Sequence, residues 1–385
     1  MAGAPAAPGR WRRWRRRLVI AGVALVVLAI AATLAAAWYF SSQVIDPNHD
    51  PGPFDEEVVG AGSATVTFKR SADTARRGVY GIDWPHGHAI VGHVLGGDRD
   101  TVTRALRKRS GTLKPGTKVE VNVSTYAGDP RSALGIPFKP VEVPDSLGPM
   151  PAWQVAGAGD TWAIFVHGYN SNRQEGLRDL PVLHRLGLPT LLISYRNDAG
   201  APRSPDGRIH LGATEWEDLE AAVRYARSQG ARRFVLIGDS MGGGIVCVFM
   251  RRSKLAGRVR GLVLDAPALS WKPVLSLQAS ERSVPFFVLD ATELIIAKRI
   301  EISWGEIDQL EHTDAFRLPI LLFHGTDDRT VPISTSDAFA RELPRFVSYT
   351  RVRGASHVGS WNVDPPVYES KLSGFLRRIG AVPAS

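Results

Sequence analysis

The 385-residue chain predicts an α/β fold: a doubly wound, mostly parallel sheet with a cap insertion, preceded by a transmembrane helix and a small β-rich segment. Three observations carry this. Short, unbroken apolar runs alternate with helical segments from about residue 136 onward. A serine crowded by glycines, GDSMGGG over Gly238 to Gly244, follows one of those runs directly. An uncharged stretch, Leu18 to Phe40, lies close to the start.

The N-terminal segment comes first. Residues 1–17 hold Arg10, Arg12, Arg13, Arg15, Arg16 and Arg17 and no acid, so most of the net charge of +9 is a terminal patch. A basic patch confined to a tail does not suggest a nucleic-acid partner. The following stretch, LVIAGVALVVLAIAATLAAAWYF, is about 34 Å long as a helix at ~1.5 Å per residue, enough for a bilayer core of ~30 Å. Trp38, Tyr39 and Phe40 suit an interfacial belt at its far end, with Trp11 and Trp14 near its start. The arginines are expected to stay cytoplasmic, which makes residues 1–17 a cytoplasmic tail and 18–40 a single-pass helix, with the bulk of the chain on the extracytoplasmic side. A cleaved signal peptide is the other reading. Its apolar core would be shorter, although Ala35-Ala36-Ala37 would pass as a cleavage site.

Residues 41–135 read as a linker followed by a β-rich juxtamembrane domain. The linker, 41–60, is rich in Pro, Asp and Gly. Val119, Val121 and Val123 alternate with polar residues, the pattern of a strand with one wet face, and GTLKPG (Gly111 to Gly116) is a loop before it. His86, His88 and His93 fall in this segment, the first two expected on one strand face. No fourth ligand accompanies them, so polar surface is expected and no metal.

Residues 136–385 carry the α/β rhythm. The runs are WAIFV (Trp162 to Val166), TLLISY (Thr190 to Tyr195), FVLI (Phe234 to Ile237), GLVL (Gly261 to Leu264), ILLF (Ile320 to Phe323) and a further strand at Val347 to Val352. Runs without alternation suit strands buried on both faces, as in parallel sheets. Between them, Thr214 and Glu217 read as a capping box opening a helix at about 215–228, with Gly230 at its C-terminal end. From about 268 to 316 the alternation breaks into a stretch rich in Trp, Phe, Leu and Ile, expected to form a cap with apolar walls. The one cysteine, Cys247, reads as a buried apolar thiol rather than a nucleophile.

Ligands of such sheets bind beyond the carboxyl ends of the strands. There the sequence places His167-Gly168-Tyr169-Asn170, Gly238-Asp239-Ser240-Met241-Gly242, His324-Gly325-Thr326-Asp327-Asp328, and Gly354-Ala355-Ser356-His357. Gly-x-Ser-x-Gly between a strand and a helix is a nucleophile elbow, a strained turn that tolerates only small neighbours. Ser240 needs a histidine to take its proton and a carboxylate to orient that histidine. His357 and Asp328 are the candidates. Ser356 lacks the strand-to-helix setting, and His167 and His324 read as structural or pocket-lining.

With HGYN, GDSMGG, HGTDDRTVP and GASH in this order, the region 136–380 resembles the α/β-hydrolase superfamily, most closely its esterase and monoacylglycerol-lipase-like branch with serine aminopeptidase-like relatives beside it. The resemblance implies a catalytic Ser240, Asp328 and His357, selecting Asp328 over Asp327 by its place three residues before Val331-Pro332. It also implies an oxyanion hole built from the backbone N–H groups of Tyr169 and Met241, and chemistry without cofactor or metal. The expected function is a membrane-anchored serine hydrolase acting on an acyl ester or lipid. The alternatives are the same triad serving a peptidase, thioesterase or acyltransferase, and a non-catalytic surface-binding protein.

Overall fold

The computed structural model describes residues 9–382; the first eight residues of the expected tail and the last three of the hydrolase region lie outside the described residues. Helix α1 (Gly9–Ile45) contains the uncharged stretch and continues past Phe40, through five residues that sequence reasoning assigned to a linker. Its side chains are exposed from Trp11 to Ala32, and burial sets in from Thr33.

Six strands follow: β1 (Glu56–Ala61), β2 (Thr65–Lys69), β3 (Tyr80–Trp84), β4 (Gly87–Gly97), β5 (Thr101–Ser110) and β6 (Lys118–Asn122). They close into a barrel in the order β1-β2-β5-β4-β3-β6, which leaves no unpaired edge. Val58, Val66, Phe68, Tyr80, Ile82, Val91, Val102 and Val119 fill it. Arg104 is also buried there, its guanidinium donating to the carbonyls of Gly92, Thr74, Arg76 and Gly78 at 2.9, 3.0, 2.5 and 2.7 Å. Burial pushes its pKa down to about 10. Both ends of the GTLKPG loop are left-handed glycines, Gly111 (φ 80°) and Gly116 (φ 85°).

Helix α2 (Pro130–Leu134) leads into an eight-stranded sheet ordered β14-β13-β12-β11-β9-β10-β8-β7. The strands are β7 (Lys139–Val143), β8 (Met150–Val155), β9 (Thr161–Val166), β10 (Thr190–Ile193), β11 (Arg233–Asp239), β12 (Val259–Asp265), β13 (Ile320–Gly325) and β14 (Val347–Val352). The six from β9 onward are parallel; β9 to β13 coincide with the five apolar runs and β14 with the further strand expected at Val347 to Val352. The β7–β8 hairpin adds antiparallel to β10. The interleaved helices are α3 (Leu180–Arg185), α4 (Trp216–Ser228), α5 (Met241–Arg252), α6 (Trp271–Glu281), α7 (Phe286–Arg299), α8 (Trp304–Ile307), α9 (Ile333–Glu342), α10 (Ser360–Val363) and α11 (Pro365–Arg378). One core lies on each face of the sheet. Cys247 sits within the first, its thiol pushed up to about 12 by burial.

The expected capping box at the start of α4 is not formed. The Glu215 carboxylate accepts from the N–H groups of His210 and Gly212 instead, and Glu217 pairs with Arg196. Glu217, the partner the box would need, is thus engaged by Arg196 rather than by the backbone at Thr214. Gly230 (φ 101°) does follow the C-terminal turn in the left-handed region. The barrel leans on the sheet unit through fully buried Asn362, whose side-chain amide donates to Val79 O and Thr125 Oγ1 at 2.7 and 2.8 Å.

Candidate active site

The chain passes from β9 outward to β10 and then back across to β11, so a crevice opens at the carboxyl ends of β9 and β11. Ser240 stands there, between the end of β11 and the start of α5, with φ 52° and ψ −120°. A non-glycine residue in that conformation is strained. The glycines explain how the turn is built. A Cβ on Gly238 would lie 2.6 Å from Gly242 O, and one on Gly242 would lie 2.1 Å from Val166 O. Neither position admits any side chain. One on Gly243 would press Pro267 at 2.6 Å, so the third glycine lets α5 approach the loop after β12.

His357 follows β14 and presents Nε2 to the Ser240 hydroxyl at 2.8 Å. Its Nδ1–H donates to Asp328 Oδ2 at 2.8 Å. The Asp328 side chain has no exposed surface. Its Oδ1 accepts from the N–H groups of Thr330 and Val331 at 2.8 and 2.9 Å. Burial alone would raise this carboxyl, but the bonds from His324 and His357 outweigh it and hold it well below the usual carboxylate range. Asp327, one residue earlier, is exposed and accepts only from Thr326.

The two loops that carry Asp328 and His357 are stitched together. Asp327 N–H donates to Ala355 O and Gly354 N–H to Thr326 Oγ1. A Cβ on Gly325 would lie 2.2 Å from Ala355 O, so only glycine lets these loops cross.

The two histidines read as structural have defined partners. His167 is fully buried, and its two ring nitrogens face acceptors, Asp198 Oδ2 at 2.7 Å and Gly168 O at 2.9 Å. Burial disfavours its charge, yet Asp198 outweighs that and raises its pKa. His324 sits behind the acid: its Nε2–H reaches Val331 O at 3.1 Å and Asp328 Oδ2 at 3.2 Å, while the Ser336 hydroxyl bonds its Nδ1 at 2.7 Å. It is therefore a second imidazole on the same carboxylate.

The turn after β9 lies against the nucleophile, since a Cβ on Gly168 would stand 3.1 Å from Ser240 Cβ. Buried Glu175 fixes that turn by accepting from Gly168 N–H at 2.8 Å. Tyr169 sits on it and Met241 opens α5, so both residues flank Ser240. The helix N-terminus adds positive potential at the same place.

Sequence reasoning did not anticipate Arg178. Fully buried, it donates to Asp239 Oδ2 at 2.7 Å, to Val358 O at 2.5 Å and to Asn362 Oδ1 at 3.2 Å. Burial works against its charge, and the carboxylates of Asp239 and Glu175 outweigh it. One cation thus ties the residue before Ser240 to the residue after His357, where Val358 is held at φ 51°. Its surroundings in the sequence, with Glu175 and Asp179 close by, resemble those of an ordinary surface arginine and do not mark it. His86 lies in the turn between β3 and β4, not on a strand face, and His88 pairs with Asp83 at 2.7 Å. Among the described residues no group of three or more His, Cys, Asp or Glu is placed to hold a metal ion.

A cavity of about 370 Å³ opens over Ser240. The expected cap supplies one wall, with Trp271, Val274, Leu275, Val284 and Leu289, and Val331 lines it from the acid loop. The opposite wall is unexpected: Tyr39, Phe40, Gln43 and Val44 from the end of α1. Among the described residues Arg282 is the only charged one lining it.

Residues 164–305 match the family model "Serine aminopeptidase, S33", and residues 57–122 match "Domain of unknown function (DUF8805)". No curated protein matches the sequence. The fold is similar to that of a Pyrococcus furiosus esterase, at 20% identity over 66% of this chain and 95% of that one, TM-score 0.54. A second crystal form of that esterase gives 20% identity over 66% and 96%, TM-score 0.53. A structure described as the DcsB complex with its substrate analogue gives 18% identity over 64% and 100%, TM-score 0.50. The part of the chain after the barrel has the α/β-hydrolase fold.

Proposed function

We propose that the protein is a membrane-anchored serine hydrolase that cleaves a carboxylic ester through an acyl-enzyme. One observation carries the reading. A hydroxyl, an imidazole and a buried carboxylate form a line of two 2.8 Å hydrogen bonds that ends in an apolar cavity. His357 Nε2 takes the Ser240 proton as Oγ attacks the acyl carbonyl, then returns it to the departing alkoxide. Asp328 holds the imidazole tautomer and balances the imidazolium. The N–H groups of Tyr169 and Met241 receive the developing oxyanion; such donors are each worth about 10²–10³ in rate. Water, activated by the same imidazole, releases the acid.

The matched aminopeptidase model favours a second reading, cleavage of an aminoacyl amide. An aminopeptidase needs an acid to receive the substrate ammonium group. Among the described residues the one charged residue lining the cavity is Arg282, which repels an ammonium, and the other walls are mostly apolar. The ester reading is therefore preferred.

Helix α1 is long and apolar enough to cross a bilayer. We take its arginine-bearing start as cytoplasmic and the barrel and hydrolase as extracytoplasmic. The buried stripe of α1 at Ala37, Ser41 and Ile45 supports a helix retained in the mature protein, because cleavage after Ala37 would cut through it.

The test is a panel of p-nitrophenyl esters of graded acyl length beside aminoacyl p-nitroanilides, on the wild-type chain and Ser240→Ala. Ester turnover that exceeds amide turnover and disappears in the variant is expected. Amide preference would favour the peptidase, and turnover surviving in the variant would remove Ser240 from the mechanism.

A further inference from the structure

Residues Trp11–Ala32 of α1 are exposed on every side. From Thr33 the helix turns one face to the protein, with burial recurring at Ala36, Ala37, Phe40, Ser41, Val44 and Ile45, the three- and four-residue spacing of a single stripe. The other face stays bare at the same level: Leu34, Trp38 and Tyr39 are 51%, 55% and 59% exposed.

The stripe packs most closely on α7, a cap helix whose own buried row is Val288, Thr292 and Ile296. Arg299 locks the pair. Its guanidinium lies 4.2 Å from the centre of the Trp38 ring and donates to the hydroxyls of Ser41 and Ser42 at 2.7 and 2.8 Å. Among the described residues six large apolar side chains beyond α1 are exposed, and three of them belong to α7: Phe286 at 76%, Phe287 at 48% and Leu294 at 62%.

Two observations meet here. The bare aromatic end of an apolar helix marks the level at which a bilayer gives way to water. The same turns of that helix form one wall of the cavity over Ser240, and Tyr169 Oη–H ties the wall to the turn beside the nucleophile by donating to Gln43 O at 3.0 Å. The ester bonds of membrane lipids lie at that level, between acyl chains and headgroups.

We infer that the cavity is loaded from the bilayer itself: the substrate is an acyl ester lipid that enters at the mouth of the cavity, which the end of α1 and the cap line together, with Phe286, Phe287 and Leu294 seated in the membrane surface. This rests on the serine-esterase reading above. Direct entry spares the acyl chain a passage through water, and the cap's exposed apolar side chains become buried in lipid. The anchor then serves as part of the substrate site as well as a tether.

The test uses the full chain in phosphatidylcholine vesicles carrying 4-methylumbelliferyl oleate, with p-nitrophenyl butyrate as the water-soluble comparison. The triple variant Phe286→Glu, Phe287→Glu, Leu294→Glu changes only exposed positions outside the cavity lining. Its fluorophosphonate labelling rate, measured alongside, reports an intact fold and nucleophile. The expected result is at least a tenfold loss of rate on the oleate, with butyrate hydrolysis within twofold of wild type. Equal losses on both esters, or no loss on either, overturns the inference. Wild-type hydrolysis of butyrate with no turnover of the vesicle-borne oleate also overturns it. A wild-type chain that cleaves neither ester and takes no label instead fails the serine-esterase reading.

Discussion

The barrel and the hydrolase unit each bury a charged side chain, and they use it differently. In the barrel, Arg104 spends its donors on four carbonyls of its own unit and leads nowhere. In the hydrolase unit, Asp328 is equally enclosed, but one of its bonds passes through His357 to Ser240 at the floor of a cavity. The backbone differs as well. Ser240, Ala266 and Val358 hold positive φ around the triad, strain that a rigid scaffold must sustain. A buried charge by itself is thus a poor sign of chemistry. A relay from that charge to a reachable nucleophile, within strained backbone, is a better one.

Substitutions at the two charges separate these roles. The largest effect is expected at the acid: Asp328→Asn should lower ester kcat about 10⁴-fold, the loss typical when the orienting carboxylate is neutralised. Exposed Asp327→Asn should change it less than threefold. Steady-state kinetics on one p-nitrophenyl ester checks both, and equal losses at 327 and 328 would break the contrast.

Arg104→Met should do the reverse. It strands several buried carbonyls and should cost about 3–5 kcal/mol of barrel stability, at ~1–3 kcal/mol for an unmet buried polar group. Ester turnover per folded, fluorophosphonate-labelled molecule should stay near wild type. Urea unfolding read beside active-site labelling measures both quantities.

A smaller effect sharpens the comparison through pH. The Asp328 carboxyl has a folded-state pKa depressed below the ordinary ~3.9 of the unfolded chain. Its contribution to stability is therefore complete above the unfolded value and is lost as pH falls toward the folded one. The urea-midpoint gap between wild type and Asp328→Asn should hold from pH 7 to 5 and narrow between pH 4 and 2. A gap that widens on acidification would contradict the depressed pKa.

Legibility from sequence followed the range of the forces involved. Five of the six parallel strands were readable because burial on both faces leaves local apolar runs, whereas β14, at the sheet edge and nowhere buried, carries no such run. Ser240 was readable because its turn admits only glycine at 238 and 242. The β7–β8 hairpin was not: Lys139–Val143 carries a proline and two charged residues at an outer edge, and it lacks that signature. Barrel closure depends on pairings such as β1 with β6, distant along the chain. Arg178 is recognised only by what surrounds it in space. The turns of α1 after Thr33 were read as membrane span and then linker, because an apolar stripe against protein and one against lipid have the same composition.

The most direct test of the central claim is mass spectrometry of the protein quenched during turnover of p-nitrophenyl palmitate. The account predicts a palmitoyl adduct on the peptide containing Ser240, transient in wild type, longer-lived in a His357→Ala chain that has been acylated chemically, and absent in Ser240→Ala. An adduct on any other side chain, or undiminished hydrolysis by the Ser240→Ala chain, would contradict it.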